Sequence, residues 1–294
     1  MTSHSAFPGP IDNGIEITTA KFAAILGATP SEGARSPLLW NAAFKAAGID
    51  AVMHPMDTRP EALGAVVAAL KADPRYVGGA IAVPHKQTVG AFLDRVEPEA
   101  ARIGAVNAIY RDGNDLVGAN TDGAGALAQI GELVGGAEAL KSKRALLIGI
   151  GGAGIAVAAF LAGRTASLTL ANRNRTTAND AAETLGAIAV DYPLSAEVLA
   201  TTDLLVNAST VGYQDGPVGS PVAENLLAAL PDGACVYDVI YQPPETPLLA
   251  AAAARGLKTR NGIGMNLDQA VIAFEKANPG ALTLDQIREA MRSA

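Results

Sequence analysis

Three short polar segments interrupt the alanine-rich first half of the chain: Val83-Pro84-His85-Lys86, Gly104-Ala105-Val106-Asn107 and Asn120-Thr121-Asp122-Gly123. Each follows or ends an apolar run, which places it at the rim of a sheet. A lysine, an asparagine and an aspartate at such a rim can surround a hydroxyl or a carbonyl. Hydride delivery to a ketone leaves an alkoxide that needs a proton. The Lys86 ammonium could donate that proton and stabilise the developing charge, and in the reverse direction the neutral amine would accept it. A neighbouring Asp122 carboxylate would favour the charged lysine and hold its direction. Read singly, each residue also has a plainer role: Lys86 as a surface lysine, Asn107 as a turn residue, Asp122 as a helix cap. His85 adjoins Lys86, but neighbours on a strand face opposite sides, so His85 is expected to be structural or to line a cleft. His4 and His54 have no partner pattern and Cys235 is the single cysteine, so no metal site is expected.

A second chemistry-bearing segment is Gly149-Ile150-Gly151-Gly152-Ala153-Gly154, which fits G-x-G-x-x-G. It follows the apolar run Arg144–Ile148 and opens an apolar helix, the context in which such glycines accept a pyrophosphate. They permit a tight turn and close backbone approach, and the helix N-terminus offers free N–H groups and a positive dipole end. A dinucleotide site of the NAD type places a carboxylate about twenty residues on, for the ribose 2′-hydroxyl. This chain has Asn172-Arg173-Asn174-Arg175 there instead. No carboxylate repels a 2′-phosphate and two guanidiniums can bind one, which points to NADP. The plainer reading of the same turn is a solvated basic loop.

These segments need a scaffold. The chain has 294 residues, enough for about two domains, with 49% hydrophobic and 17% charged residues. Net charge −7 argues against a nucleic-acid partner. The N-terminal MTSHSAFPGP lacks a basic region followed by an apolar core, and residues 1–20 are expected to form a flexible tail. In the first half, strands are predicted at 21–27, 51–54 and 79–83 and helices at 36–48 and 60–72. In the second half, strands are predicted at 144–148, 167–171, 204–207 and 235–240, with helices at 154–163 and 265–278. Alternating strands and helices imply an α/β protein with mostly parallel sheets. The uncharged stretch 145–163 has the length of a membrane span, but its glycines make a strand, a turn and a buried helix the better reading. The polar, basic stretch 142–145 looks like the way into the second domain.

In their order along the chain these segments resemble the shikimate dehydrogenase family. The likeness runs from about Ala24 to Glu275 and includes Ser36-Pro37, Val83-Pro84-His85-Lys86, Ile103-Gly104-Ala105-Val106-Asn107, Asn120-Thr121-Asp122-Gly123 and the glycine loop. It continues through Asn172-Arg173, Asn207-Ala208, Asp238-Val239-Ile240-Tyr241 with Thr246-Pro247-Leu248, and Gly262-Ile263-Gly264-Met265 with Gln269. The resemblance implies a substrate-binding and catalytic domain over 21–122, a Rossmann NADP-binding domain over 123–263, and C-terminal helices over 264–294 that pack back on the first domain. It implies Lys86 and Asp122 as the catalytic pair and Ser36, Asn107, Tyr241 and Gln269 as substrate-binding. It adds Asn207 and Gly262 to the cofactor-binding set of Gly149, Gly151, Gly152, Ala153, Gly154, Asn172, Arg173 and Arg175.

The reaction so implied interconverts a ring hydroxyl and a ketone, with shikimate and 3-dehydroshikimate as the first pair. The implied setting is cytoplasmic, away from membranes, with a small cyclic hydroxy acid as partner and the chain a monomer or homodimer. Departures concern the groups that the resemblance implies hold the substrate's carboxylate, Ser and Thr, and an asparagine that helps to line the site. The family's serine two residues before Ser36 is Ala34, its Asn-x-Thr-x-Pro strand is Ala80-Ile81-Ala82-Val83-Pro84, and Ala108 follows Asn107 where threonine is common. A paralogue using quinate, an aminated shikimate or another cyclic polyol is therefore the alternative, and a nucleotide-binding regulator without turnover is the second.

Overall fold

The computed structural model describes residues 5–294 except position 215. The chain divides into two units, one of residues up to Thr121 together with Leu267–Ala294, the other Asp122–Asn266.

The first unit opens with a two-stranded antiparallel ladder, β1 (Ser5–Ala6) on β2 (Glu16–Ile17). Its main sheet contains β3 (Lys21–Gly27), β4 (Ala51–Asp57), β5 (Tyr76–Ile81), β6 (Arg95–Val96), β7 (Ala108–Asp112) and β8 (Asp115–Ala119), in the order β4-β3-β5-β7-β8-β6. Strand β3 is buried on both faces from Phe22 to Gly27, so it reads as one apolar run. Its alternate residues feed two clusters. Phe22, Ala24 and Leu26 join Tyr76 and Ile109, while Ala23 and Ile25 join Trp40 and Phe44. Helix Ser36–Ala47 covers the second cluster and ends at Gly48, whose φ of 65° suits glycine. From the far end of the sequence, Phe274 packs against Trp40 at 5.3 Å and Phe44 at 5.1 Å between ring centroids. Ile287 and Met291 of helix Leu284–Arg292 complete this layer, so the C-terminal helices do return to the first sheet.

Two expectations need correction here, the tail and the end of β5, while the sheet keeps three parallel pairings and is mixed only because β7 runs antiparallel to both β5 and β8. The β7–β8 hairpin turns through Gly113 at φ 61°, and its Asp-Gly-Asn cue is present in the sequence. Residues from 5 onward are not a tail: Phe7 and Ile17 lie in the first cluster, and Asn13 bonds the Pro55 carbonyl at 2.8 Å and the Asp57 amide at 2.7 Å. Residues 1–4 lie outside the described part. Finally, β5 stops at Ile81, and His85–Gln87 forms a single 3-10 turn.

The second unit is wholly parallel: β9 (Arg144–Ile148), β10 (Ser167–Ala171), β11 (Ile188–Val190), β12 (Leu204–Asn207), β13 (Cys235–Asp238) and β14 (Lys258–Arg260), ordered β11-β10-β9-β12-β13-β14. That is the doubly wound order of dinucleotide-binding sheets. The chain enters this unit at Asp122 inside helix Thr121–Val134, and helix Ala137–Lys141 follows before β9, so the stretch 142–145 leads to the first strand rather than opening the unit. The uncharged stretch 145–163 is the remainder of β9, a glycine turn and helix Gly152–Leu161, and no helix among the described residues is long and apolar enough to cross a membrane.

Candidate active site

Strand direction decides where the polar segments of the first unit fall. Lys86 follows the carboxyl end of β5, and Ser36 opens the helix reached from the carboxyl end of β3. Because β7 is antiparallel to β5, with Ala80 opposite Ala108, the residue before β7 lies at that same edge. Strand β8 reverses again, with Ala108 opposite Ala119, and returns Asn120 and Thr121 to it. The mixed sheet therefore gathers Lys86, Asn107 and Thr121 on one rim.

Hydrogen bonds fix the rim. Val106 N–H donates to the Lys86 carbonyl at 2.7 Å, and Asn107 N–H donates to Ala119 at 3.0 Å. The Asn107 side chain is buried. Its Oδ1 accepts from the Thr121 amide at 2.6 Å, and its Nδ2 donates to Thr121 Oγ1 at 3.0 Å and to Gln269 Oε1 at 3.5 Å. Asn107 and Gln269, expected together, are thus in contact, and Thr121, quoted in the motif without a role, is their third member. Asn120 closes the segment by donating to the Ala105 carbonyl at 3.1 Å. Lys86 itself is half-buried on its 3-10 turn, and Asp122 is the second residue of helix Thr121–Val134.

Around this rim the polar cradle is thin. Ala34, Ala80 and Ala82 all pack against the apolar cluster of Trp40 and Phe274, as their methyl side chains dictate. Ser36 is half-buried at the helix start, where Arg35 makes no side-chain cap. Tyr241 belongs to the second unit, after β13, and is 38% exposed.

In the second unit a cavity of about 230 Å³ opens at the carboxyl ends of β9, β10 and β12. It sits where strand order reverses about β9, the ligand crevice of open parallel sheets. Gly149, Ile150, Gly151, Asn172, Arg173 and Ser209 are among its lining residues. The glycines have distinct reasons. Gly149 has φ 94°, and a Cβ there would stand 2.6 Å from the Ser209 amide. A Cβ on Gly154 would stand 1.9 Å from the Gly149 carbonyl, so only glycine lets this helix meet the strand. Gly151 and Gly152 face open space, and helix Gly152–Leu161 starts behind Gly151 with the first-turn N–H groups of Gly152, Ala153 and Gly154 lacking intrahelical partners. A loop with open Cβ positions beside free N–H groups fits a dinucleotide pyrophosphate. Asn172 Oδ1 accepts from Ile150 N–H at 3.1 Å and holds the loop against the end of β10.

Of the two guanidiniums in the next turn, only Arg173 lines the cavity, and it makes no hydrogen bond to another described residue. Arg175 is turned to its own fold. It pairs with Asp191 at 2.8 Å, donates to Asn179 at 3.0 Å and bonds the Ala189 carbonyl at 3.1 Å. Asn207 is also turned inward: it is fully buried, donates to Asp238 at 3.0 Å, and accepts from the Ser209 amide and hydroxyl. It shapes the cavity through Ser209, which sequence reasoning missed although it lies two residues further on. Gly262 is a packing glycine, since a Cβ there would stand 1.9 Å from the Val239 carbonyl. Asp238, below this layer, accepts from Thr246 at 2.7 Å and Ile240 at 3.0 Å, yet burial outweighs these bonds and pushes its carboxyl up to about 6.

A family model described as the shikimate dehydrogenase substrate binding domain matches residues 26–109. A shikimate dehydrogenase (NADP(+)) of Geobacter metallireducens is 38% identical over 250 residues, covering 81% of this chain and 85% of its own. Among solved structures, the shikimate 5-dehydrogenase of Thermus thermophilus in complex with NADP(H) and shikimate matches with a TM-score of 0.75 at 33% identity, over 93% of this chain and 99% of that one. A quinate dehydrogenase from Corynebacterium glutamicum in complex with NAD matches with a TM-score of 0.79 at 29% identity, over 94% and 99% of the two chains.

Proposed function

The chain belongs to the shikimate dehydrogenase family, and on that premise we propose that it interconverts shikimate and 3-dehydroshikimate with NADP. The observation that carries the substrate side is the contact of buried Asn107 with half-buried Gln269, held on the same rim as the turn bearing Lys86. Asn107 spends both side-chain N–H groups, on Thr121 Oγ1 and on the long bond to Gln269 Oε1, so a ring hydroxyl held here would exchange with that 3.5 Å bond and meet amide donors and acceptors of the kind a polyhydroxylated ring requires.

When bound, the cofactor would supply a hydride as NADPH or take one up as NADP(+). In this reading the glycine loop and first-turn N–H groups hold its pyrophosphate, and Arg173 meets the 2′-phosphate. Lys86 gives a proton to the developing alkoxide during reduction and takes it from the hydroxyl during oxidation. Asp122 favours the charged lysine, Asn107 and Gln269 hold ring hydroxyls, Ser36 binds at the carboxylate end, and Tyr241 lies beside the substrate. Domain limits near 122 and 264, a cytoplasmic setting and a monomeric or homodimeric state belong to the same proposal.

One observation favours a second reading. Ala34 and Ala82 leave the carboxylate end without two hydroxyl side chains and Ala80 leaves the site lining without an amide, which suits a paralogue whose ring carries a different substituent. The test is initial-rate kinetics on shikimate, quinate, an aminated shikimate and a cyclic polyol, each with NADP and NAD, followed by nicotinamide absorbance. The expected outcome is the highest kcat/KM for shikimate with NADP. A higher value for another ring alcohol supports the paralogue, and cofactor binding without turnover on any of them refutes the enzyme.

A further inference from the structure

The 3-10 turn that carries Lys86 is anchored on two sides. On one, the Lys86 carbonyl accepts from Val106 N–H at 2.7 Å. On the other, the His85 ring reaches the Thr58 carbonyl, with Nε2 at 2.7 Å. A carbonyl only accepts, so Nε2 carries the hydrogen of this bond. His85 is fully buried and its Nδ1 has no hydrogen-bond partner. A leucine or phenylalanine would fill such a place without burying an unsatisfied nitrogen, so the property that histidine contributes here is its Nε2 donor.

The acceptor is equally well placed. Thr58 is fully buried just beyond β4, its N–H donates to the Gly27 carbonyl at the end of β3 at 2.8 Å, and its hydroxyl donates to Met56 at 3.0 Å. One hydrogen-bonded path therefore runs from the end of β3 through Thr58 and His85 to Lys86, and on through Val106 and Asn107 to Thr121 and Gln269. We infer that His85 is a positioning residue for Lys86, its Nε2–H bond to Thr58 fixing the turn from which the lysine reaches the reacting oxygen. The role rests on the proposed reading of Lys86 as proton donor. Since Lys86 acts in proton transfer, loosening the turn slows the chemical step and leaves binding of ring and cofactor in place.

Two amide substitutions separate this role from plain packing. In His85→Gln the side-chain nitrogen reaches the position of Nε2, whereas in His85→Asn it reaches only that of Nδ1. Both are uncharged and of similar polarity, so a general loss of packing affects both. Each variant is measured as kcat per NADP-binding site, with KM for shikimate and Kd for NADP, and Lys86 is labelled separately with an amine-directed reagent and quantified by peptide mass. His85→Asn is expected to lower kcat at least tenfold with KM and Kd within threefold of wild type, and to change the labelling rate of Lys86. His85→Gln is expected to recover kcat to within threefold. Equal kcat in the two variants, or a loss confined to KM, overturns the inference. If the wild-type protein does not turn over shikimate, the proposed function fails by itself, and an unequal labelling rate at Lys86 in the two variants still upholds the positioning role.

Discussion

Replacing Arg173 by alanine tests the cofactor assignment at the point where structure and sequence diverge. The Arg173 side chain is exposed, lines the cavity beside Gly149 and Gly151, and makes no hydrogen bond to another described residue. Its removal therefore deletes a ligand contact and leaves the fold intact, with stability expected within about 0.5 kcal/mol of wild type. A charge-assisted hydrogen bond contributes about 1.5–3 kcal/mol, and exposure to solvent and salt moves this one to about 1–2 kcal/mol. That is roughly a 5- to 30-fold rise in Kd for NADP. NAD lacks the phosphate, so its Kd is expected to change by less than about twofold on the same scale. Calorimetric titration of both cofactors measures this, and raising the salt concentration narrows the NADP difference between wild type and variant. Arg175→Ala is the control: its guanidinium pairs with Asp191, so a small effect common to both cofactors is expected. Equal weakening of NADP and NAD by Arg173→Ala, or a larger NADP-specific effect at Arg175, would refute the reasoning.

Lys86→Ala is expected to lower kcat by about 10²–10⁴, with kcat/KM falling in parallel, and wild-type turnover in this variant removes the proton-donor role. Restoring hydroxyls with Ala34→Ser and Ala82→Thr adds bonds of about 1.5–3 kcal/mol each to a carboxylate, so KM for shikimate is expected to fall tenfold or more at unchanged kcat. An unchanged KM means that the carboxylate is held by other groups. Asp238 has its carboxyl raised to about 6 by burial, so its ionised form penalises the folded state above that pH, and the penalty fades as pH falls through 6. Chemical denaturation of wild type and Asp238→Asn is therefore expected to shift by about 1–1.5 kcal/mol in favour of wild type between pH 7.5 and pH 5, whereas a pH-independent difference contradicts the buried charge.

The parts legible in the sequence are those set by neighbours along the chain. Strands β3, β9, β10 and β12 have the predicted limits because each is an apolar run closed by glycine or polar residues. The glycine loop is legible for the same reason: Gly154 is demanded by the Gly149 carbonyl five residues before it and Gly149 by its own φ of 94°, although the close approach of Ser209 to Gly149 is a tertiary contact. The polar segments around Lys86, Asn107 and Thr121 announce a rim because each interrupts an apolar stretch, a contrast visible without any fold.

Tertiary structure decided everything that depends on a partner far away in sequence. Arg173 and Arg175 are alike in the sequence, and what separates them is Asp191, sixteen residues on, which captures one guanidinium. Asn207 turns inward because Asp238, thirty-one residues away, is buried beside it. Gln269 meets Asn107 across 162 residues, and Phe7 docks the N-terminal segment by packing 6.5 Å from Phe22. His85 reads from strand alternation as facing away from Lys86, yet its role follows from a 3-10 turn and from Thr58, twenty-seven residues earlier. Backbone preference and hydrophobic period act over a few residues and can be read directly, whereas burial, strand direction and hydrogen-bond pairing depend on which distant segments the closed chain brings together.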